Sequence, residues 1–334
     1  MSEIKGVNCI VDTNYILYKN VYTLAKNKEL YGNLERSLEA TFEEFLNKYP
    51  FKNIFMVCDS KQTWRKDIYK EYKAKRKELR DKVDVDWDYV YNTYDAFKTK
   101  MINPRITYLE IDGVEGDDII RHLIKKSNTK GLSTLTIASD ADLQQLLDYS
   151  IDPNNSYINM QWFNKWTDGK VYLPYGYKLF INKIRENRGD IFNMNENGDF
   201  LSMYENLIEK DTPIEIDTQE SLFVKIIQGD TSDNIESVLK VPMKKDPTKF
   251  RGIGKAGASK IFTAYKSDYP NDIDFTNDSW IDEVVEFVAE NKKVDADEHE
   301  HQIVQNIKLN RRLIHLHDSH LPRLIRERIE EIYN

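Results

Sequence analysis

Cysteine is scarce in this chain of 334 residues, which contains only two. Cys9 and Cys58 both lie within apolar runs, and neither belongs to a CxxC pair or to a pattern of zinc ligands. This argues against a disulfide scaffold and against a cysteine-based zinc site. We expect two buried, reduced thiols, which are typical of a cytoplasmic protein.

Long hydrophobic runs are also missing. No window approaches 18 consecutive apolar residues, and the first residues lack the apolar core of a signal peptide. The sequence shows no internal repeat and no low-complexity tract. We therefore expect neither membrane insertion nor secretion. The hydrophobic content of 40% is enough for a sizeable core, in one large domain or in two of ordinary size.

Positive charge is not in excess, because the formal net charge is −8. Taken alone, this value argues against a nucleic-acid partner, but binding depends on local patches. Residues 61–80 contain nine Lys or Arg and three Asp or Glu, and nine minus three gives a local charge of +6. A solvated helix face would explain this run. However, aromatic side chains are interleaved with the basic ones, so the basic side chains could also follow a phosphate backbone while the aromatic rings stack on bases. These side chains are Trp64, Arg65, Lys66, Tyr69, Lys70, Tyr72, Lys73, Lys75, Arg76 and Arg80.

Short apolar runs alternate with segments of helical period in the first half of the chain. This alternation predicts an α/β fold with a mostly parallel central sheet flanked by helices. The predicted strands cover residues 7–11, 54–58, 106–111 and 134–139. The predicted helices between and after them cover residues 34–48, 87–101, 117–126 and 141–148.

Acidic residues follow each of the four predicted strands. The carboxyl ends of parallel strands lie at one edge of a sheet, where ligands bind, so these acids should meet in one crevice. Each acid alone could merely cap a helix. An Asp pair in the segment 228–234 extends the set to nine carboxylates: Asp12, Asp59, Glu115, Asp117, Asp118, Asp140, Asp142, Asp230 and Asp233.

The charge of such a set requires neutralisation. Two unit charges 4 Å apart repel by about 4 kcal/mol at an effective dielectric constant of about 20. Carboxylate oxygens suit hard cations such as Mg²⁺ or Mn²⁺. The nine acids therefore predict a two-metal site of the kind that serves phosphodiester hydrolysis.

A glycine-rich segment, "FRGIGKAGASKIF", covers residues 250–262. Its glycines interrupt an otherwise helical register with the spacing of a helix-hairpin-helix motif, and they would let backbone amides approach a phosphate. A plain turn between two helices would need similar residues, but the neighbouring Arg251, Lys255 and Lys260 favour a phosphate contact. Such a contact would position nucleic acid without reading its sequence.

Seven motifs occur in an order that resembles the 5′ nuclease, or flap endonuclease, superfamily, in particular its T-even bacteriophage ribonuclease H type. The motifs are "VDTNY", "CDS", "WRKDIYKEYKAKR", "EGDD", "SDADL", "GDTSDN" and "GIGKAGA", from residue 11 to about residue 262. The resemblance implies a PIN-like α/β nuclease core over residues 1–220, with a basic helical arch at about 61–86. A helical DNA-binding region would cover residues 221–334, with its helix-hairpin-helix at about 250–265.

Two departures from the family pattern are visible. Residues 235–250 separate "GDTSDN" from the glycine segment, and the interval between Asp142 and Asp230 is long. Residues 151–220 are therefore predicted to contain an insertion, which begins with a small antiparallel excursion.

The resemblance also assigns roles residue by residue. Asp12, Asp59, Glu115, Asp117 and Asp118 would surround a first Mg²⁺, and Asp140, Asp142, Asp230 and Asp233 a second, with Mn²⁺ as a substitute. Tyr72, Lys73 and Arg76 match the catalytic residues of the arch, of which the lysine and arginine contact the region of the scissile phosphate. The DNA-binding residues would be Arg65, Lys66, Lys75, Arg251, Gly252, Gly254, Lys255, Gly257 and Lys260, with a K⁺ ion at the glycine hairpin.

The implied activity is removal of RNA primers and flaps from 5′ ends, on DNA and RNA–DNA hybrids, by a cytoplasmic and monomeric protein. The resemblance leaves a replication partner open, either a single-strand binding protein or a sliding clamp, and the C-terminal residues contain no recognisable clamp-binding peptide. A PIN-type ribonuclease would lack the glycine hairpin, and an aspartyl phosphatase would need a second Asp two residues after Asp12. The non-enzymatic alternative is a branched-DNA binding protein on the same scaffold.

Overall fold

The computed structural model describes residues 6–48, 51–101, 104–148, 150–152, 155–159, 170–173 and 214–332. Most of the predicted insertion at 151–220 lies outside these residues. The chain divides into two compact units. The first unit contains Met1–Thr63, Val83–Ile216 and Arg323–Asn334, and the second contains Trp64–Lys82 and Asp217–Pro322.

The first unit is built on a seven-stranded sheet in the described residues, with the strand order β3-β2-β1-β4-β5-β6-β7. The first five strands in this order are parallel, while β6 is antiparallel to β5 and parallel to β7. The prediction of an α/β fold with a mostly parallel sheet is confirmed. The strands are β1 (Val7–Asp12), β2 (Asn53–Val57), β3 (Ile106–Leu109), β4 (Ser133–Ala138), β5 (Asn155–Asn159), β6 (Lys170–Leu173) and β7 (Ile214–Glu215).

The described helices lie close to their predicted positions in the first half of the chain, although residues 141–147 form a 3₁₀ helix and not an α-helix. None of them is long and apolar enough to span a bilayer. In chain order they are α1 (Thr13–Lys26), α2 (Leu34–Lys48), α3 (Arg65–Ile68), α4 (Lys75–Arg80), α5 (Trp87–Met101), α6 (Gly116–Thr129), α7 (Thr218–Gln228), α8 (Lys255–Asp268), α9 (Ile281–Lys292), α10 (Ala296–Ile314) and α11 (Arg323–Glu330).

The centre of the sheet explains the apolar runs of the sequence. Every residue of β4 is buried, and only the last residue of β1 is not, because helices cover both faces of a parallel sheet. Cys9 and Cys58 are free and buried, as predicted. The Cys58 Sγ lies 2.7 Å from the Tyr94 Oη, and burial raises the pKa of the Cys58 thiol to about 12.

The second unit has its own core of aliphatic and aromatic side chains, in which Phe223 packs against Phe262 and Trp280. Tyr72 of the basic segment, residues 61–80, belongs to this core. The buried Arg65 of the same segment donates from Nε to the carbonyl oxygen of Leu313 at 2.8 Å. These contacts place the basic segment with the helical unit, whereas the sequence placed it within the α/β core.

The last helix also differs from the predicted domain organisation. Residues Arg323–Asn334 group with the first unit and not with the helical region. The Arg328 Nη1 donates to the carbonyl oxygen of Asp112 at 2.7 Å, and Ile325 lies against Gly113. The sequence of a short, charged helix does not indicate which of the two units it packs against.

A two-stranded antiparallel ribbon fills the interval between "GDTSDN" and the glycine segment. It consists of β8 (Val241–Met243) and β9 (Asp246–Arg251). The glycine segment therefore joins a strand to α8, so residues 250 and 251 are extended and the helix begins at Lys255. The physical reason is pairing of β9 with β8, which holds the backbone before the glycines extended.

We expect one histidine of the second unit to make its stability depend on pH. His320 is buried, and burial together with the positive charge of Arg311 lowers its pKa to about 4. His317, Arg312 and Arg65 also face it and act in the same direction. The unfolded state binds the proton more readily, so the free energy of unfolding should fall as the pH drops from about 6.5 to about 4, by about 1 to 2 kcal/mol once solvent screening is allowed for.

Urea denaturation at a series of pH values measures this dependence. His320→Gln should flatten the profile between these pH values, whereas His301→Gln, which alters an exposed histidine of α10, should leave it unchanged. Parallel profiles for wild type and His320→Gln would contradict the assignment.

Candidate active site

Three aspartates lie at the carboxyl ends of neighbouring parallel strands of the first unit. Asp12 ends β1, Asp59 follows β2 and Asp140 follows β4. Because β1 pairs with both β2 and β4 in parallel, these ends lie at one edge of the sheet. Burial, then the charge of Asp59, and to a smaller extent that of Asp140, raise the pKa of Asp12 to about 7. Three of the nine predicted acids therefore lie near enough at this edge for their charges to interact.

Each of these aspartates also accepts a backbone hydrogen bond. The Asp12 Oδ1 accepts from Tyr15 N at 3.1 Å and caps α1, and the Asp140 Oδ1 accepts from Asp142 N at 2.9 Å. The Asp59 Oδ1 accepts from Gly116 N at 2.8 Å, at the start of α6. Helix capping and a functional carboxylate cluster are therefore compatible at these positions, because each of these bonds uses only the Oδ1 atom.

The acids of "EGDD" occupy the first turn of α6. Glu115 is the N-cap residue, Glu115 and Asp118 are buried, and Asp117 is half-buried. The positive end of the helix dipole favours negative charge at this position. Asp142 is half-buried in the first turn of the 3₁₀ helix.

Tyr157 on β5 is a neighbour of this cluster that the sequence did not indicate. Its Oη donates to the carbonyl oxygen of Asp140 at 2.9 Å. Burial, followed by the charges of Asp140, Asp12 and Asp117, raises the pKa of Tyr157 well above its ordinary value. Three predicted ligands therefore act electrostatically on the same phenol. The only sequence signal was the position of Tyr157 in an aromatic strand-like segment.

The donor types of this cluster fit a hard divalent cation, since all of them are carboxylate oxygens. The described residues contain no group of three His, Cys, Asp or Glu side chains that is close enough to hold a metal ion as the side chains stand. The cluster thus has the chemistry of a divalent-metal site.

Asp230 and Asp233 belong to the second unit, in the turn after α7. The Asp230 Oδ2 accepts from Lys225 Nζ at 2.5 Å, and its Oδ1 accepts from both N and Oγ of Ser232 at 2.7 Å. Burial raises the pKa of Asp230, but the hydrogen bonds from Lys225 and Ser232 outweigh this effect and lower it to about 2. Asp230 is therefore ionised across the physiological pH range.

The residues predicted to be catalytic gather around Asp233 within the second unit. The Tyr72 Oη donates to the Asp233 Oδ2 at 2.9 Å, and the Arg76 Nη2 donates to its Oδ1 at 2.5 Å. The Lys73 Nζ lies 3.9 Å from the Oδ2, and the Lys73 backbone N donates to the Asp233 carbonyl oxygen at 2.8 Å. Lys73 has φ of +56°, a left-handed conformation that is uncommon for lysine.

The predicted DNA-binding residues of the basic segment separate into two groups. Lys66 and Lys75 are exposed, as a contact with DNA requires. Arg65 is 2% exposed and bonds to the Leu313 carbonyl, so its guanidinium stabilises the interior of the second unit. The sequence pattern could not distinguish Arg65 from its exposed neighbours, because the burial of Arg65 depends on a contact with Leu313, which is 248 residues away in the chain.

The glycine segment is held by two residues that the sequence did not indicate. Ser237 Oγ accepts from Ile253 N at 2.8 Å, and a Cβ atom at Gly252 would lie 2.6 Å from the Ser237 Cβ. The Lys292 Nζ donates to the Gly252 carbonyl oxygen at 2.8 Å. Gly252 is therefore required by close approach, whereas a Cβ at Gly254 would meet open space.

The basic neighbours of the glycines face solvent. Arg251, Lys255 and Lys260 are exposed, and Gly257 donates from N to the Gly254 carbonyl in the first turn of α8. The N-terminus of α8 has no side-chain cap at Gly254. The segment thus presents positive charge beside a helix N-terminus, which favours anions.

A family model for the 5′-3′ exonuclease N-terminal resolvase-like domain matches residues 8–176, half of the chain. The chain belongs to this family. The matched range includes the basic segment and all seven of the predicted metal ligands that lie in the first unit. The resemblance to 5′ nucleases that the motifs indicated is therefore confirmed.

Two curated proteins illustrate the similarity. The 5′-3′ exonuclease of Buchnera aphidicola subsp. Schizaphis graminum is 31% identical over 187 residues, which are 52% of this chain and 60% of that protein. The ribonuclease H of Enterobacteria phage T4 is 33% identical over 118 residues, which are 34% of this chain and 38% of that protein. The chain thus spans less than two thirds of the length of either relative.

Solved structures of a bacteriophage T5 nuclease share the fold of this 5′-3′ exonuclease family member. A 5′-exonuclease of T5 with bound divalent zinc ions has a TM-score of 0.59, and a T5 flap endonuclease in a complex with DNA and metal ions has a TM-score of 0.55. Each is 15% identical and covers 97% of this chain, and this chain covers 96% of each.

Proposed function

We propose that the protein is a divalent-metal-dependent 5′ nuclease that hydrolyses phosphodiester bonds at 5′ flaps, nicks and RNA–DNA hybrids. The observation that carries this proposal is the row of carboxylates at the ends of β2, β1 and β4, where burial and mutual repulsion raise the pKa of Asp12. Membership of the 5′-3′ exonuclease family supports it, as does the T5 relative solved with DNA and metal ions.

The proposed ligands are the carboxylates that the sequence indicated. Asp12, Asp59, Glu115, Asp117 and Asp118 would serve a first Mg²⁺, and Asp140, Asp142, Asp230 and Asp233 a second. Bound cations of this kind supply an activated water and neutralise charge on the leaving oxygen. The chain itself orients the carboxylates, through the backbone hydrogen bonds of Asp12, Asp59 and Asp140.

The basic segment would supply the positive charge that the reaction needs. Lys73 and Arg76 would offset negative charge that develops on the phosphate in the transition state. Their contacts with Asp233 fix both side chains within the second unit before substrate binds. Lys66, Lys75, Arg251, Lys255 and Lys260 would contact the sugar-phosphate backbone, and a K⁺ ion could bind at the glycine segment.

The biological role that follows is removal of RNA primers during DNA replication of the bacteriophage type. A single-strand binding protein or a sliding clamp would be the natural recruiting partner for such a nuclease. The similarity to the phage T4 protein named ribonuclease H supports activity on RNA.

Single-turnover cleavage of a 5′-flap DNA with labels at both ends tests the proposal, with an RNA-primed duplex as a second substrate. We expect release of 5′ fragments from both substrates in Mg²⁺ and in Mn²⁺, and none in EDTA. The ratio of the two rates defines the preferred substrate. Tight binding without cleavage in either metal would instead favour a non-catalytic protein that binds branched DNA.

A further inference from the structure

The ribbon of β8 and β9 is a basic, uncovered element that the family motifs do not include. Residues 241–255 contain five Lys or Arg and one acid, and five minus one gives +4 in a chain whose formal net charge is −8. Lys244, Lys245, Lys249 and Arg251 are all exposed. The single acid, Asp246, pairs with Lys249 at 3.2 Å, and an exposed pair of this kind contributes little stability.

The ribbon also exposes apolar side chains that a soluble hairpin does not need. Phe250 is 60% exposed and Met243 is 38% exposed. Phe250 lies opposite Pro242 in the ribbon, and alternation along β9 places Lys249 and Arg251 on the other face. No residue of β9 is buried, so neither face of this strand serves a hydrophobic core.

The base of the ribbon is fixed, although its strands are uncovered. Val241 packs against the core of the second unit. At the other end, Gly252 is held against Ser237 and by the Lys292 Nζ. Two-stranded ribbons are marginally stable alone, so these anchors set the direction in which the ribbon extends. An anchored, exposed and basic ribbon is suited to binding and not to packing.

We propose that the β8–β9 ribbon binds double-stranded nucleic acid, with Lys244, Lys245 and Lys249 on phosphates and Phe250 against the sugar or base edges of a groove. A two-stranded ribbon fits a duplex groove in size, and lysine side chains neutralise phosphates without reading sequence. The ribbon runs directly into the glycine segment and the N-terminus of α8, so it would extend the predicted phosphate-binding surface. The inference shares with the proposed function only a nucleic-acid ligand.

Duplex binding in EDTA tests the ribbon without cleavage. The full-length triple variant Lys244→Gln, Lys245→Gln, Lys249→Gln should bind a labelled blunt DNA duplex about 10- to 100-fold more weakly than wild type. The slope of log affinity against log salt concentration should become shallower by about 3, since about 0.9 counterion is released for each phosphate neutralised. Phe250→Ala should weaken binding with an unchanged salt slope.

A matched triple variant controls for net charge. Lys26→Gln, Lys28→Gln, Lys52→Gln removes the same charge from exposed positions of the first unit and should bind as wild type does. Equal affinity and slope for the two triple variants would overturn the proposal. A loss of affinity for single-stranded DNA alone would also overturn the proposal, because the ribbon would then bind a single strand and not a duplex.

Failure of the ribbon and failure of the proposed function give different results. Ribbon-dependent duplex binding by a wild-type protein that does not cleave in Mg²⁺ would refute the nuclease and leave the ribbon site intact. Metal-dependent cleavage by wild type, together with unchanged duplex binding by the ribbon variant, would refute the ribbon alone.

Discussion

Asp12→Asn is expected to slow metal-dependent cleavage by about 100- to 1000-fold, the loss typical of removing one main electrostatic contributor to an active site. Asparagine retains an oxygen that can accept the hydrogen bond from Tyr15 N, and it is as good an N-cap as aspartate, so α1 should be preserved. The variant loses the charge that is repelled by Asp59 and Asp140, and therefore should not be less stable without metal. Single-turnover cleavage in Mg²⁺ measures the effect.

Asp112→Asn is the matched control for this variant. Asp112 is an exposed aspartate in the loop after β3, and it is not one of the nine predicted ligands. We expect it to cleave at the wild-type rate, and both variants to bind duplex in EDTA as wild type does. A normal rate for Asp12→Asn would remove Asp12 from the proposed metal site. A folding defect in this variant, revealed by circular dichroism, would attribute slower cleavage to the loss of the N-cap of α1.

Lys73→Ala is expected to reduce the single-turnover rate by about 10- to 1000-fold with little change in substrate affinity, because its charge would act mainly on the transition state. Lys73 is half-buried, and its Nζ lies over the Tyr72 ring at 5.0 Å and 3.9 Å from Asp233. These contacts restrict the ammonium group before substrate arrives, so substrate binding need not order it.

Two further variants distinguish the effect of the Lys73 amine from the effect of its backbone conformation and of the surrounding basic residues. Lys73→Gly also removes the amine but tolerates φ of +56°, so a rate as low as that of Lys73→Ala would assign the loss to the charge. Lys70→Ala alters an exposed lysine of the same segment and should cleave normally. If Lys73→Ala cleaves as fast as Lys70→Ala and wild type, Lys73 has no catalytic role.

The strands and the acids that follow them could be predicted because their signals are local. A buried parallel strand needs a continuous apolar run, and the runs 7–11, 54–58 and 134–139 became β1, β2 and β4 with small shifts at their ends. Parallel pairing then places Asp12, Asp59 and Asp140 at one edge with no further information.

Other features depend on partners far along the chain. Arg65 and Lys66 are adjacent basic residues in the sequence, yet one is buried against Leu313 and the other is exposed. The sequence did not indicate the pairing of β8 with β9, because two short polar segments have no periodicity that distinguishes a ribbon from a loop.

The sequence by itself determined the α/β class, the order of the family motifs and the gathering of carboxylates at the ends of parallel strands, since burial pattern and strand direction are encoded locally. Only the tertiary structure decided that Tyr72, Lys73 and Arg76 gather around Asp233, that Tyr157 borders the acid cluster, and that the ribbon stands exposed. These outcomes depend on hydrogen bonds and packing between distant segments, and the energies of such contacts leave no trace in local sequence periodicity.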